Sequence, residues 1–189
     1  MPAVTDLATQ ITRAAAELAQ GAAATDPAAL AALVAELARA RRIVSYGCGR
    51  EGLMLRALTM RLYHLGLDAH VVGDMSCPPL GPGDLLLVSS GPGRLSTVAA
   101  LIQQARTAGA RTACITAQPT GPDPKACDLV LVIPAQTMAD DQGATQAVLP
   151  MGSVFEGAQF LIFEILVLHL RDHLGESSAT IRARHTNLE

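Results

Sequence analysis

Tryptophan is missing from this chain of 189 residues, which carries only two tyrosines and three phenylalanines. Half of the residues are nevertheless apolar. A core without large rings must be filled by Ala, Leu, Val and Ile, and the length is enough for one domain with a sizeable core. Charge is sparse as well: Asp, Glu, Lys and Arg make up 16% of the chain, and the net charge is −3. No run of lysines or arginines occurs, so the electrostatic footprint of a nucleic-acid binder is lacking. A small anionic metabolite is still allowed, because local arginines and helix N-termini count for more than the total.

The four cysteines (Cys48, Cys77, Cys114, Cys127) show no C-x-x-C spacing. Cys114 lies in an apolar strand and Cys127 beside one. Both read as buried free thiols in a reducing compartment rather than as a disulfide or a metal site. The N-terminal residues carry Asp6 and no charged-then-apolar leader pattern. The most apolar stretch, residues 160–170, is short for a bilayer span and contains Glu164. These features predict a cytoplasmic protein. Many apolar residues with few charges further predict that another copy of the chain covers some apolar surface.

What the chain does have is punctuated alternation. Leu7, Ile11 and Leu18 share a helical face, and Gly21 predicts the end of that helix. Thr25-Asp26-Pro27 is a helix start, followed by Leu30, Leu33, Val34 and Leu37 at helical spacing. The two helices predict a hairpin over residues 1–40. From residue 41 onward, strands are predicted at 43–46, 69–72, 85–88, 112–115 and 129–133. Helices are predicted near 50–65 and 95–108, and a long apolar one at 153–173. Residues 134–152 read as a surface or active-site loop, and the tail from 177 as room for a short helix. Short apolar strands separated by helices predict an α/β, three-layer α-β-α fold with a five-stranded parallel sheet. The strand order expected is the flavodoxin-like 2-1-3-4-5, in one domain spanning residues 1–189.

Two strands run straight into glycine-rich turns that open helices. The first turn is Gly47-Cys48-Gly49-Arg50-Glu51-Gly52, and the second is Ser89-Ser90-Gly91-Pro92-Gly93-Arg94, with Ser96 and Thr97 behind it. In the order 2-1-3-4-5 both sit at the switch point, where they line a crevice with N–H groups and hydroxyls suited to a small anion or a sugar. The first turn has G-x-G-x-x-G spacing, with Asp68 or Asp74 about twenty residues on, so a dinucleotide stays open on spacing alone. A plain strand-to-helix turn, with Glu51 facing the positive helix end, is the simpler reading. The hydroxyls of the second turn suit a phosphate or act as helix caps, with Pro92 removing one N–H donor.

Glu156, in the first turn of the long apolar helix, is a natural general base if it points into the crevice. His185, between Arg184 and Thr186, can pass a proton near neutral pH or stand as an exposed tail residue. His64 closes a helix. His169 and His173 have i, i+4 spacing but no evident third ligand.

The sequence resembles the sugar isomerase (SIS) domain family, and within it the 6-phospho-3-hexuloisomerases. The likeness runs from about residue 42 to residue 189. It rests on Gly47-x-Gly49-Arg50-x-Gly52, Met60-Arg61-Leu62-x-His64-Leu65-Gly66, Ser90-Gly91-x-Gly93, Pro150-x-Gly152-x-x-Phe155-Glu156 and Ala183-Arg184-His185-x-x-Leu188-Glu189. The resemblance implies that a carbonyl moves between adjacent carbons of a ketohexose phosphate through an enediolate. Glu156 would be the base, and His185 or His64, lent by a neighbouring subunit, would shuttle protons. It also implies that no metal or organic cofactor is needed, and that dimers or tetramers carry their sites at subunit borders. Related SIS domains act as non-catalytic sugar-phosphate sensors, which is the alternative.

The phosphate side departs from the family pattern. Glu51 replaces a serine of G-x-G-R-S-G, and Pro92, Arg94 and Leu95 replace Ser, Glu and Thr of S-G-S-G-E-T. Residues Gly47, Gly49, Arg50, Glu51, Ser89, Ser90, Gly91, Gly93, Arg94, Ser96 and Thr97 are therefore expected to hold the substrate in an altered way. A Glu51–Arg94 ion pair across the turns would leave Glu51 a structural role.

Overall fold

The computed structural model describes residues 6–141 and 147–188. Part of the expected 134–152 loop therefore lies outside the described residues. Twelve elements follow in order among the described residues. They are α1 (Leu7–Ala23), α2 (Pro27–Arg39), β1 (Ile43–Gly47), α3 (Gly49–His64), β2 (Ala69–Val71) and β3 (Leu85–Ser89), then α4 (Ser96–Thr107), β4 (Arg111–Thr116), α5 (Pro122–Lys125), β5 (Leu129–Val132), α6 (Ser153–Leu174) and α7 (Ser178–Ala183).

All four strand pairings are parallel, and the order is β2-β1-β3-β4-β5, as the sequence predicts. Side chains alternate across the sheet. Ile43, Leu85, Leu87, Ala113, Ile115 and Leu131 face one layer, with α2, α3 and α6 packed over them. Val44, Leu86, Val88 and Cys114 face the other, under α4. The aliphatic composition is matched by these cores, in which Phe155 and Phe163 are the only buried phenylalanine or tyrosine rings among the described residues.

Local signals account for most boundaries. Asp26 caps α2 by accepting from the Ala28 N–H, with Pro27 in the first turn. Gly175, in the left-handed region, closes α6. Gly21 does not end α1, which continues to Ala23. The glycine is buried inside the helix, because a Cβ there would stand 2.8 Å from the Ala135 Cβ. Its role is close packing rather than termination. The proline-rich stretch after β4 contains the short helix α5, which the proline signal hid.

Helix α6 corrects the membrane-length expectation. It runs 22 residues, with a mean hydropathy of 1.5 over its most apolar 18-residue window, and is long and apolar enough to cross a bilayer. In this fold 44% of that window is buried against the neighbouring elements. α1 and α2 meet at a bend of 76°. α1 lies on α6 so closely that a Cβ at Gly157 would reach within 2.6 Å of Leu18 Cδ2. The outer side of the same layer exposes Phe160, Ile165 and Leu168 of α6 and Leu53, Met60 and Tyr63 of α3.

Candidate active site

The β1–β3 register pairs Gly47 with Ser89, so the two glycine-rich turns leave the sheet side by side. The first turn folds tightly because a Cβ at Gly52 would stand 2.3 Å from the Gly47 carbonyl oxygen. Only glycine lets α3 begin so close to its strand. α6 begins beside the same crevice, and Phe155 packs on the second turn: a Cβ at Gly91 would lie 2.9 Å from the Phe155 ring.

Glu156 follows Phe155 and faces the first turn. Its side chain is 13% exposed, and Arg50 Nε lies 2.5 Å from Glu156 Oε2. The contact pairs the charges but lacks hydrogen-bond alignment, so this buried oxygen has no hydrogen-bond partner. Burial pushes the Glu156 carboxyl up from its ordinary value, and the Arg50 guanidinium pulls it partly back. The net effect is a carboxyl that holds a proton more readily than an exposed one.

Glu51 lies deeper. Its Oε2 accepts from Ser89 Oγ at 2.5 Å and from the Gly91 N–H at 3.0 Å. Burial raises its carboxyl, these two hydrogen bonds oppose the rise, and the nearby Glu156 charge adds to it. The expected Glu51–Arg94 pair does not form. The cation beside the acidic residues is Arg50, on Glu156, while Arg94 is exposed. Arg94 has followed the chain outward, and the donors closest to Glu51 belong to the second turn itself.

A second carboxylate fills the rest of that turn. Asp123 of α5, 2% exposed, accepts from Ser90 Oγ at 2.6 Å and from the Leu95 N–H at 2.7 Å. It thereby caps the approach to α4, whose Leu95 N-cap has no side-chain bond of its own. Ser96 and Thr97 are exposed at the helix start. Gln159, one turn after Glu156 and fully buried, donates from Nε2 to Ser89 Oγ at 3.0 Å, and its Oε1 has no partner. Sequence reading passed over Asp123 and Gln159. A polar residue three positions after Glu156, in an apolar helix, was the available sign of the second.

The structure thus gathers Gly47, Arg50, Glu51, Ser89, Ser90, Gly91 and Glu156 around one crevice. His64 and His185 meet elsewhere. Their ring centroids are 5.1 Å apart at the C-terminal end of α3. Arg184 holds the tail there by donating to the His64 carbonyl and to Glu176. At about 1.5 Å per residue, nearly the whole length of α3, roughly 20 Å, separates this pair from Glu51. Within one chain the histidines do not reach Glu156. A cavity of about 550 Å³ lies between α4 and α5, beside Ile102, Arg106 and Ala126. Among the described residues, no group of three or more His, Cys, Asp or Glu side chains converges as a metal site.

Comparison with known proteins converges on one family. The SIS domain model matches residues 36–158. The 3-hexulose-6-phosphate isomerase of Mycobacterium gastri is 39% identical over 173 residues, spanning 92% of this chain and 86% of that one. The 3-hexulose-6-phosphate isomerase of Bacillus subtilis is 34% identical over 148 residues, spanning 78% and 80%. Among solved structures, MJ1247 from Methanococcus jannaschii superposes with a TM-score of 0.82 at 24% identity, covering 96% of this chain and 99% of that one. Its structure was reported to infer a 3-hexulose-6-phosphate isomerase function.

Proposed function

The chain belongs to the SIS domain family, and we propose that it is a sugar isomerase that moves a carbonyl between adjacent carbons of a ketohexose or ketohexose phosphate. The relatives named as 3-hexulose-6-phosphate isomerases support that reaction class. The observation that carries the reading is the Glu156 carboxyl, 13% exposed and set against Arg50 beside the first glycine-rich turn.

Glu156 takes the proton from the carbon next to the substrate carbonyl. An enediolate forms, and the same carboxyl returns the proton to the neighbouring carbon. Its raised proton affinity suits both steps, since a base that is too weak neither accepts readily nor survives near neutral pH as a donor. Arg50 stands where its guanidinium can offset the negative charge that builds on the enediolate oxygens. No step in this scheme calls for a metal or an organic cofactor. Proton transfer between the two oxygens falls to His185, brought over the crevice by a neighbouring copy. Two features support that arrangement: the histidine pair lies far from Glu156 in its own chain, and the exposed apolar side chains of α3 and α6 offer a homo-oligomeric interface.

The test is turnover by Glu156→Gln. The amide keeps the shape and the apolar packing but cannot take up the proton. Isomerisation of a ketohexose phosphate is expected to fall by about 10²–10⁴-fold, with far-UV circular dichroism and substrate affinity preserved. Retained turnover would remove Glu156 from the base role.

A further inference from the structure

Resting on the assignment of the two glycine-rich turns as the substrate seat, we infer that Glu51 sets specificity by occupying the anion cradle of that seat, so that the group bound between the turns is hydroxyl-bearing and uncharged rather than a phosphate. A phosphate is recognised by convergent N–H and O–H donors. Here four of those donors are engaged from within the chain. Ser89 Oγ and the Gly91 N–H serve Glu51, while Ser90 Oγ and the Leu95 N–H serve Asp123.

The seat offers acceptors instead. Glu51 makes both of its hydrogen bonds through Oε2. Gln159 Oε1 is buried without a hydrogen-bond partner, while Glu156 Oε2 is already paired with Arg50. Acceptors of this kind bind the O–H groups of a sugar, and two carboxylates side by side repel a dianion. Glu51 is held firmly in this position. Gln159 donates to Ser89, which in turn donates to Glu51, and the absence of a side chain at Gly91 makes room for Glu51 Oε1, 2.7 Å from where a Cβ would stand. The cradle is therefore closed by packing as well as by charge.

The experiment measures binding of inorganic phosphate and of fructose 6-phosphate by isothermal titration calorimetry, in the wild type and in Glu51→Ser. Removing the carboxylate frees Ser89 Oγ and the Gly91 N–H. Both ligands are expected to bind at least tenfold more tightly to the variant, while unphosphorylated fructose gains nothing. A gain below tenfold for both ligands overturns the assignment. A second measurement needs no variant: the Gly91 amide resonance of the wild type is expected to stay in place as phosphate is added, and its saturable movement would show the cradle open and refute the inference. Neither readout depends on turnover, so a chain that never isomerises a sugar refutes the catalytic reading and leaves this one to be judged on binding.

Discussion

Replacing Gly91 with alanine probes the crevice through a single methyl group. The backbone there does not need glycine for its dihedral angles, because Gly91 is not among the residues with positive φ. Only contacts oppose a side chain. The new Cβ would lie 2.7 Å from Glu51 Oε1, 2.9 Å from Phe155 Cε1 and 3.0 Å from Phe155 Cδ1. Carbon atoms in contact sit about 3.5–4.0 Å apart, so relative to the ring alone about half an ångström or more must be gained. Phe155 is 1% exposed and wedged in the core, so Glu51 yields first. Its movement strains or breaks the bonds to Ser89 and the Gly91 N–H in a buried site.

Overpacking costs about 1–3 kcal/mol, and loss of a charged hydrogen bond about 1.5–3 kcal/mol. Because the moving carboxylate relieves part of the first by giving up part of the second, the expected total is about 2–4 kcal/mol. For a chain of this size that lowers the melting temperature by roughly 5–15 °C. Urea unfolding followed by circular dichroism gives the number. The informative comparison is a double-mutant cycle with Glu51→Ser, which removes the oxygen and keeps the ring. In that background the cost of Gly91→Ala is expected to shrink by about 1 kcal/mol or more. Strict additivity, or a change below about 0.5 kcal/mol for Gly91→Ala alone, would refute the close three-way packing.

Two other expectations rest on the same geometry. Glu156 must be ionised to act as a base and its carboxyl is raised by burial, so activity rises with pH through a midpoint above the ordinary carboxylate value; removing the opposing guanidinium with Arg50→Gln moves that midpoint higher still in a pH–rate profile. Asp123→Ala strips the acceptor from Ser90 Oγ and the Leu95 N–H in a buried setting, and is expected to cost about 1–3 kcal/mol in denaturant unfolding, with fraying at the start of α4 visible by amide hydrogen exchange.

The sheet was legible because its central strands are short apolar runs that end at turns of glycine, proline or polar residues, and parallel strands buried on both faces need nothing more to be recognised; the edge strand β2, Ala69–Val71, is only partly buried. The misreadings have local causes. Gly21 looks like a helix stop in one dimension, and only the approach of Ala135, more than a hundred residues away, shows why a glycine sits inside α1. Pro122 and Pro124 both fit the first turn of the short helix α5, where their missing N–H groups are not needed, so proline here does not mark a break. That helix is what carries Asp123 to the second turn. The crevice was legible in its backbone and in Glu156, since glycine turns and a carboxylate at a helix start leave a pattern. The partners of Glu51 were not, because the choice between Arg94 and the Ser89–Gly91 donors is made by side-chain direction, on which spacing is silent. The stacking of His64 on His185 likewise joins residues far apart in the chain through a tail whose sequence carries no periodic signal.

The most direct measurement is exchange at carbon. Incubated with a ketohexose or its phosphate in deuterated water, the wild type is expected to place deuterium on the carbon beside the carbonyl, read by proton NMR, while Glu156→Gln leaves that proton untouched in a folded protein. Deuterium incorporated at the wild-type rate by Glu156→Gln would contradict the account.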